Sequence, residues 1–167
     1  LSFRTDASTN FGKDNRYGKF YSISGAWLVS SEKFMQKQKA LSFLKLRLSY
    51  GTSGKEAGID YLNYTLYAIG KDYEDYYREH PLYPSSYPAV INQLGNDQLT
   101  WETAYTFDLG MDMGFLNDRI RLNTDYYRRR NSDLIMSVAT AAGIGVGAQY
   151  RNVGEMLNQG VELTLNT

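Results

Sequence analysis

The sequence predicts an all-β, antiparallel fold with strands long enough to cross a bilayer, on three observations. The first is a period of two between Leu99 and Arg130. Trp101, Thr103, Tyr105, Phe107, Leu109, Met111 and Met113 fall on one side, and Glu102, Ala104, Thr106, Asp108, Gly110 and Asp112 on the other. After a break at Gly114–Asp118, Ile120, Leu122, Thr124 and Tyr126 alternate with Arg121, Asn123, Asp125 and Tyr127. A strand sends successive side chains to opposite faces, so this is a long two-faced hairpin. The second is length. Each arm alternates for about ten residues, against about 5–6 in an ordinary strand and roughly 9–11 in a strand that crosses a bilayer. The third is an aromatic excess, with 15 Tyr and 14% aromatic residues. Membrane barrels carry aromatic girdles, although a sugar-binding surface is also rich in Tyr.

The other elements follow in order. Leu1–Ser8 alternates as a strand, Thr9–Arg16 is a polar loop, and Tyr17–Val29 is a strand with Tyr21, Ile23, Gly25 and Trp27 on one face. Ser31 is placed to cap a short helix over Glu32–Lys39. Phe43–Tyr50 is a strand that Gly51–Gly58 interrupts. Asp60–Gln98 holds eight tyrosines and all three prolines, and so reads as loop or edge structure. Leu134–Val138 prolongs the second hairpin arm, Ala139–Ala148 is a small-residue loop, and Gly160–Asn166 is the last strand.

Alternation alone does not separate a lipid-facing barrel from a soluble sandwich. The connections do. Those at Ser30–Leu41 and Gly114–Asp118 are compact, and those at Gly51–Gln98 and Ser137–Tyr150 are long. Outer-membrane barrels have short turns inside and long loops outside. The chain then makes six crossings, with Tyr61–Gly70 in an outer loop and not a seventh crossing. Both ends of the sequence read as mid-strand, so the expectation is a segment of a larger barrel. Its open edges and apolar face predict that it does not fold alone.

Several chemistries find no support. A net charge of zero gives no electrostatic case for nucleic acid. The lack of cysteine removes disulfides and thiolate metal sites. His80, the only histidine, lies in Arg78-Glu79-His80-Pro81 with no serine elbow nearby. Gly143–Gly147 lacks the ending of a phosphate loop. Asp108 and Asp112 stand about 13 Å apart along one strand, which suits a hydrated wall better than a glycosidase pair. Asp72, Glu74, Asp75 and Glu79 lack the spacing of a calcium loop. No enzyme, cofactor or metal is expected.

Three residue groups remain as candidates. Trp101, Tyr105, Phe107, Leu109, Met111, Ile120, Leu122 and Tyr126 are expected to face lipid. Arg128 and Arg130 share that parity near the outer interface, where a guanidinium suits lipopolysaccharide phosphate. Tyr73, Tyr76, Tyr77, Tyr83 and Tyr87 present rigid amphipathic rings suited to a substrate or a partner.

A family resemblance runs through most of the chain. Phe11–Gly18 with Ser22-Ile23-Ser24 and Trp27, Leu44–Gly51, Leu99-Thr100-Trp101-Glu102, Asp125-Tyr126-Tyr127, Asn152-Val153-Gly154 and Asn158–Leu163 occur in order. Together they resemble the SusC/RagA family of TonB-dependent outer-membrane transporters, with Asp60–Gln98 the poorest match. The resemblance implies a barrel of about 22 strands with an N-terminal plug. It also implies import of oligosaccharides or peptides under a SusD-type surface lipoprotein, energised by TonB through regions outside this sequence. A soluble carbohydrate-binding module using the Tyr-rich surface is the alternative, and a jelly-roll glycoside hydrolase is a more distant one.

Overall fold

The computed structural model describes residues 1–35, 37, 40–69 and 89–167. Six strands form one antiparallel sheet: β1 (Ser2–Ala7), β2 (Tyr17–Leu28), β3 (Leu41–Lys55), β6 (Glu102–Phe115), β7 (Ile120–Ala139) and β8 (Ala148–Asn166), in that spatial order. A separate hairpin, β4 (Leu66–Ile69) with β5 (Ala89–Gln93), lies within the connection between β3 and β6. The region around Tyr61–Gly70 therefore adds no strand to the main sheet. Among the described residues no helix is long and apolar enough to cross a membrane, which says nothing of crossing by strands.

The registers carry one apolar face across the sheet. Trp27 pairs with Leu46, Leu46 with Met111, and Met111 with Thr124, which in turn faces Leu163. A level higher, Ile23, Tyr50, Phe107 and Arg128 follow one another. Cross-strand partners point the same way, so the odd positions of β6 and the even positions of β3 and β7 make one surface. It stays open: Leu48 is 51% exposed, Leu109 46% and Leu163 69%. The opposite face carries Arg47, Asp108, Asp112, Asn123 and Asp125.

Three elements depart from the sequence expectation. A 3₁₀ turn spans Val29–Ser31, and Glu32 and Met35 donate to the carbonyls of Val29 and Glu32. No α-helix follows Ser31 among the described residues. β3 runs through Gly51 and Gly54 to Lys55, because the ladder with β6 continues as far as the Lys55–Glu102 pair and pairing overrides the glycines' weak strand preference. β8 begins at Ala148, well before Gly160, because the tail of β7 pairs with it from Ala139 onward.

The turn after β6 is tight. Phe115 pairs with Ile120, and Leu116, Asn117 and Asp118 all have φ between 54° and 63°. Asn and Asp tolerate the left-handed region, whereas Leu does so at a cost of about 1–2 kcal/mol. Ser42 secures the turn: its hydroxyl donates to the Asp118 carboxylate at 2.9 Å and accepts from the Asp118 N–H at 3.0 Å.

The core is not in the wall but beyond its far end. Phe11, Leu62 and Leu99 are at most 2% exposed, and Ala57, Trp101, Ile135 and Tyr150 pack around them. This cluster joins the loop after β1 to both ends of the long β3–β6 connection. Leu99→Ala opens a cavity there and is expected to cost about 2–5 kcal/mol. Limited proteolysis of intact cells should then cut the outer loops faster while the barrel keeps its heat-dependent gel shift. Unchanged cleavage would show that the cluster does not hold the loops.

With β1 and β8 as unpaired edges and one face apolar, residues 1–167 expressed alone are expected to aggregate in detergent-free buffer. A monomeric boundary in analytical ultracentrifugation would contradict this.

Candidate functional site on the polar wall and the loop bases

On the polar face a single guanidinium ties three strands together. Arg47 on β3 donates through Nε and Nη2 to both oxygens of Asp112 on β6, each at 3.0 Å. Nη2 also reaches Asp125 Oδ1 on β7 at 2.8 Å. Asn123 adds a 2.9 Å bond to Asp112. A planar fork makes this double contact where an ammonium would not. Gly110 lies between the partners and leaves room for it: a Cβ there would stand 2.5 Å from Asp125 Oδ1 and 2.7 Å from Arg47 Cζ. Asp108 does not converge on Asp112. It accepts a 3.1 Å bond from Ser49, one rung away from the arginine group. Asp112 and Asp125 share Arg47 while Asp108 bonds Ser49, so Asp108 and Asp112 do not converge on one point.

The outer rim is held by side-chain bonds to backbone. Asn152 Oδ1 accepts from the Thr100 N–H at 3.0 Å, and its Nδ2 donates to the carbonyls of Thr100, at 3.0 Å, and Asp133, at 2.6 Å. The amide thereby imitates a piece of β-ladder where the β7–β8 register shifts between Asn131 and Ile135. Glu102 accepts from the Ile135 N–H at 2.8 Å. Gly154 allows the close approach of β7, since a Cβ there would meet Leu134 Cβ and Met136 Sδ at 2.8 Å.

Trp101 belongs to this rim and not to the lipid face. It precedes β6, and its indole N–H donates to the Arg16 carbonyl at 3.2 Å. Its ring lies 5.2 Å from Phe11 and 5.8 Å from Phe20 between centroids. Parity along the strand fails here because the chain has left the ladder. The structure places Tyr105, Phe107, Leu109, Met111, Ile120, Leu122 and Tyr126 together on the open apolar face.

Arg128 and Arg130 share that face, but they differ. Arg130 is engaged by Glu155 in a two-point pair, at 2.8 and 3.0 Å. Arg128 is exposed and has no such partner among the described residues. Tyr73, Tyr76, Tyr77, Tyr83 and Tyr87, with His80 and the acidic group from Asp72 to Glu79, lie outside the described residues. The two-sided rim network of Asn152 and Glu102 has no signature in residue spacing, and only the quoted motifs Leu99–Glu102 and Asn152–Gly154 pointed there.

A sheet with one continuous apolar face, a salt-bridged polar face, a tight turn at one end and packed loops at the other is a stretch of outer-membrane β-barrel wall. The comparisons agree. The family model for the TonB dependent receptor-like β-barrel matches residues 1–167. The chain is 36% identical over 168 residues to TonB-dependent receptor SusC of Bacteroides thetaiotaomicron, covering 99% of this chain and 16% of that protein. It is 34% identical over 164 residues to TonB-dependent receptor P26 of Formosa agariphila, covering 98% and 16%. Among solved structures, the RagAB peptide importer in its open-open state superposes with a TM-score of 0.81 at 32% identity, covering 98% of this chain and 17% of that one. The closed-closed state gives 0.80. The chain belongs to the TonB-dependent receptor β-barrel family and lies in the outer membrane. It spans about a sixth of the length of these relatives.

The Arg47 group generates a prediction for the full-length protein. Gly110→Ala is expected to push Arg47 away from Asp125 and to lower unfolding stability by roughly 1 kcal/mol, the scale of a partly exposed pair. Asp125→Asn should add little on top of it, because both changes remove one contact. Additive losses in a urea double-mutant cycle would separate Gly110 from the ion pair.

Proposed function

We propose that this chain forms part of the barrel wall of a nutrient importer of the SusC/RagA type. Oligosaccharide or peptide passes along its polar face, and a SusD-like surface lipoprotein covers the outer end. Energy comes from TonB through a plug domain in the region of the protein that precedes this segment. The barrel acts by capture and conformational opening, without bond chemistry. One observation carries the reading: the chain superposes on a peptide importer in two states of that machine with TM-scores of 0.80 and 0.81, covering 98% of this chain. The Tyr-rich segment around Tyr73, Tyr76, Tyr77, Tyr83 and Tyr87 belongs to the outer connection, where tyrosine rings meet substrate or the lipoprotein lid.

The test is made on the full-length protein in its own cells. Outer-membrane fractionation should enrich it, heating should shift its gel mobility, and a surface lipoprotein should co-purify. A deletion strain should lose growth on a peptide or on an oligosaccharide as sole source, which also separates the two cargo classes. Growth unchanged on both, with no lipoprotein bound, would overturn the importer reading.

A further inference from the structure

An open groove of about 1000 Å³ lies on the apolar face at its outer border. Its floor is aromatic: Tyr50, Tyr105, Phe107 and Tyr126. Its walls include Arg128, Arg130, Asp133 and Glu155, with the polar Ser132 and Asn152 beside them. The height is set by the register. Arg128 pairs with Phe107 and stands eight residues beyond Ile120, where β7 begins. At about 3.3 Å per residue and a tilt of about 40°, that is roughly 20 Å above the tight turn, close to the top of a band about 25 Å tall. The groove thus sits where headgroups of the outer leaflet meet hydrocarbon.

The two arginines divide their roles. Arg130 is neutralised by the two-point pair with Glu155. Arg128 makes no ion pair among the described residues and brings a positive charge beside the aromatic floor, with Asp133 a second carboxylate in the lining. Below the groove, a second hollow of about 590 Å³ shares Tyr50 and Phe107 with it and continues over Gly25 between Ile23 and Leu48. A Cβ at Gly25 would meet nothing within 4 Å. The surface runs from a rim of mixed charge, in which Arg128 is the cation without an ion pair among the described residues, over aromatic rings into an apolar furrow.

We infer that this surface holds one outer-leaflet lipid whose headgroup is a phosphorylated sugar. Arg128 takes the phosphate, the four rings carry the sugar, and the furrow over Gly25 takes an acyl chain. A guanidinium grips phosphate through two parallel donors, and the low dielectric beside the hydrocarbon strengthens that contact. Aromatic side chains suit the interface because one end is apolar and the other polar. The inference rests on the outer-membrane reading of this face and goes beyond it by naming the ligand class and its register.

The test uses the full-length protein in phosphatidylcholine nanodiscs that contain bisphosphorylated lipid A or its dephosphorylated form, with bound lipid counted by native mass spectrometry. The wild type should favour the phosphorylated form by about tenfold, the scale of one charge-assisted contact. Arg128→Gln should abolish that preference, and Arg128→Lys should keep part of it. Arg130→Gln should leave it in place. Gly25→Leu, which fills the furrow, should lower retention of both forms alike. Heat-dependent gel mobility confirms that each variant folds. A preference unchanged in Arg128→Gln, or lost equally in Arg130→Gln, would overturn the inference while leaving the barrel intact. A wild type without a heat-dependent shift would strike the barrel reading instead.

Discussion

The wall depends on the pairing of backbone amides. Hydrocarbon offers no water to an unpaired N–H or C=O, so a strand that crosses it must be laddered on both sides. The central strands β6 and β7 have a neighbour on each side. The β3–β6 ladder runs from Phe43–Gly114 to Lys55–Glu102, and the β6–β7 ladder from Phe115–Ile120 to Thr103–Ser132. Once the ladder is continuous, side-chain direction is no longer free. Each rung sends one residue to the apolar face and the next to the polar face, and a slip of one residue would exchange the two surfaces.

Charge on the polar side is arranged accordingly. Lys45, Arg47, Asp108, Asp112 and Asp125 lie on neighbouring rungs, and a wet lumen alone would leave them as loose repelling groups. Arg47 instead spans two strand boundaries and draws Asp112 and Asp125 onto one guanidinium. The gain per contact is modest because these groups are partly solvated. Its effect is geometric: it fixes the polar side chains against the wall.

Where the ladder ends, packing takes over. Loops carry backbone groups that no neighbouring strand satisfies, so side chains must supply the partners. Asn152, Glu102 and Trp101 each bond to main-chain atoms of another segment, while Phe11, Leu62 and Leu99 form the small core beneath. The result is a rigid seat for the long outer connection.

The sequence by itself determined the strand content, the two faces, the count of six crossings and the side on which the long loops lie. These are legible because period two and turn chemistry are local properties of the chain. The resemblance carried in order by Phe11–Gly18, Leu44–Gly51, Leu99–Glu102, Asp125–Tyr127, Asn152–Gly154 and Asn158–Leu163 pointed to the family. Only the tertiary structure decided that Trp101 turns into the rim, that β8 starts at Ala148, that no α-helix follows Ser31 in the described residues, and that Glu155 engages Arg130 while Arg128 makes no ion pair among the described residues. Each of these depends on which strand is the neighbour and where a bulge shifts the register, and neither is encoded in the spacing of residues along one strand.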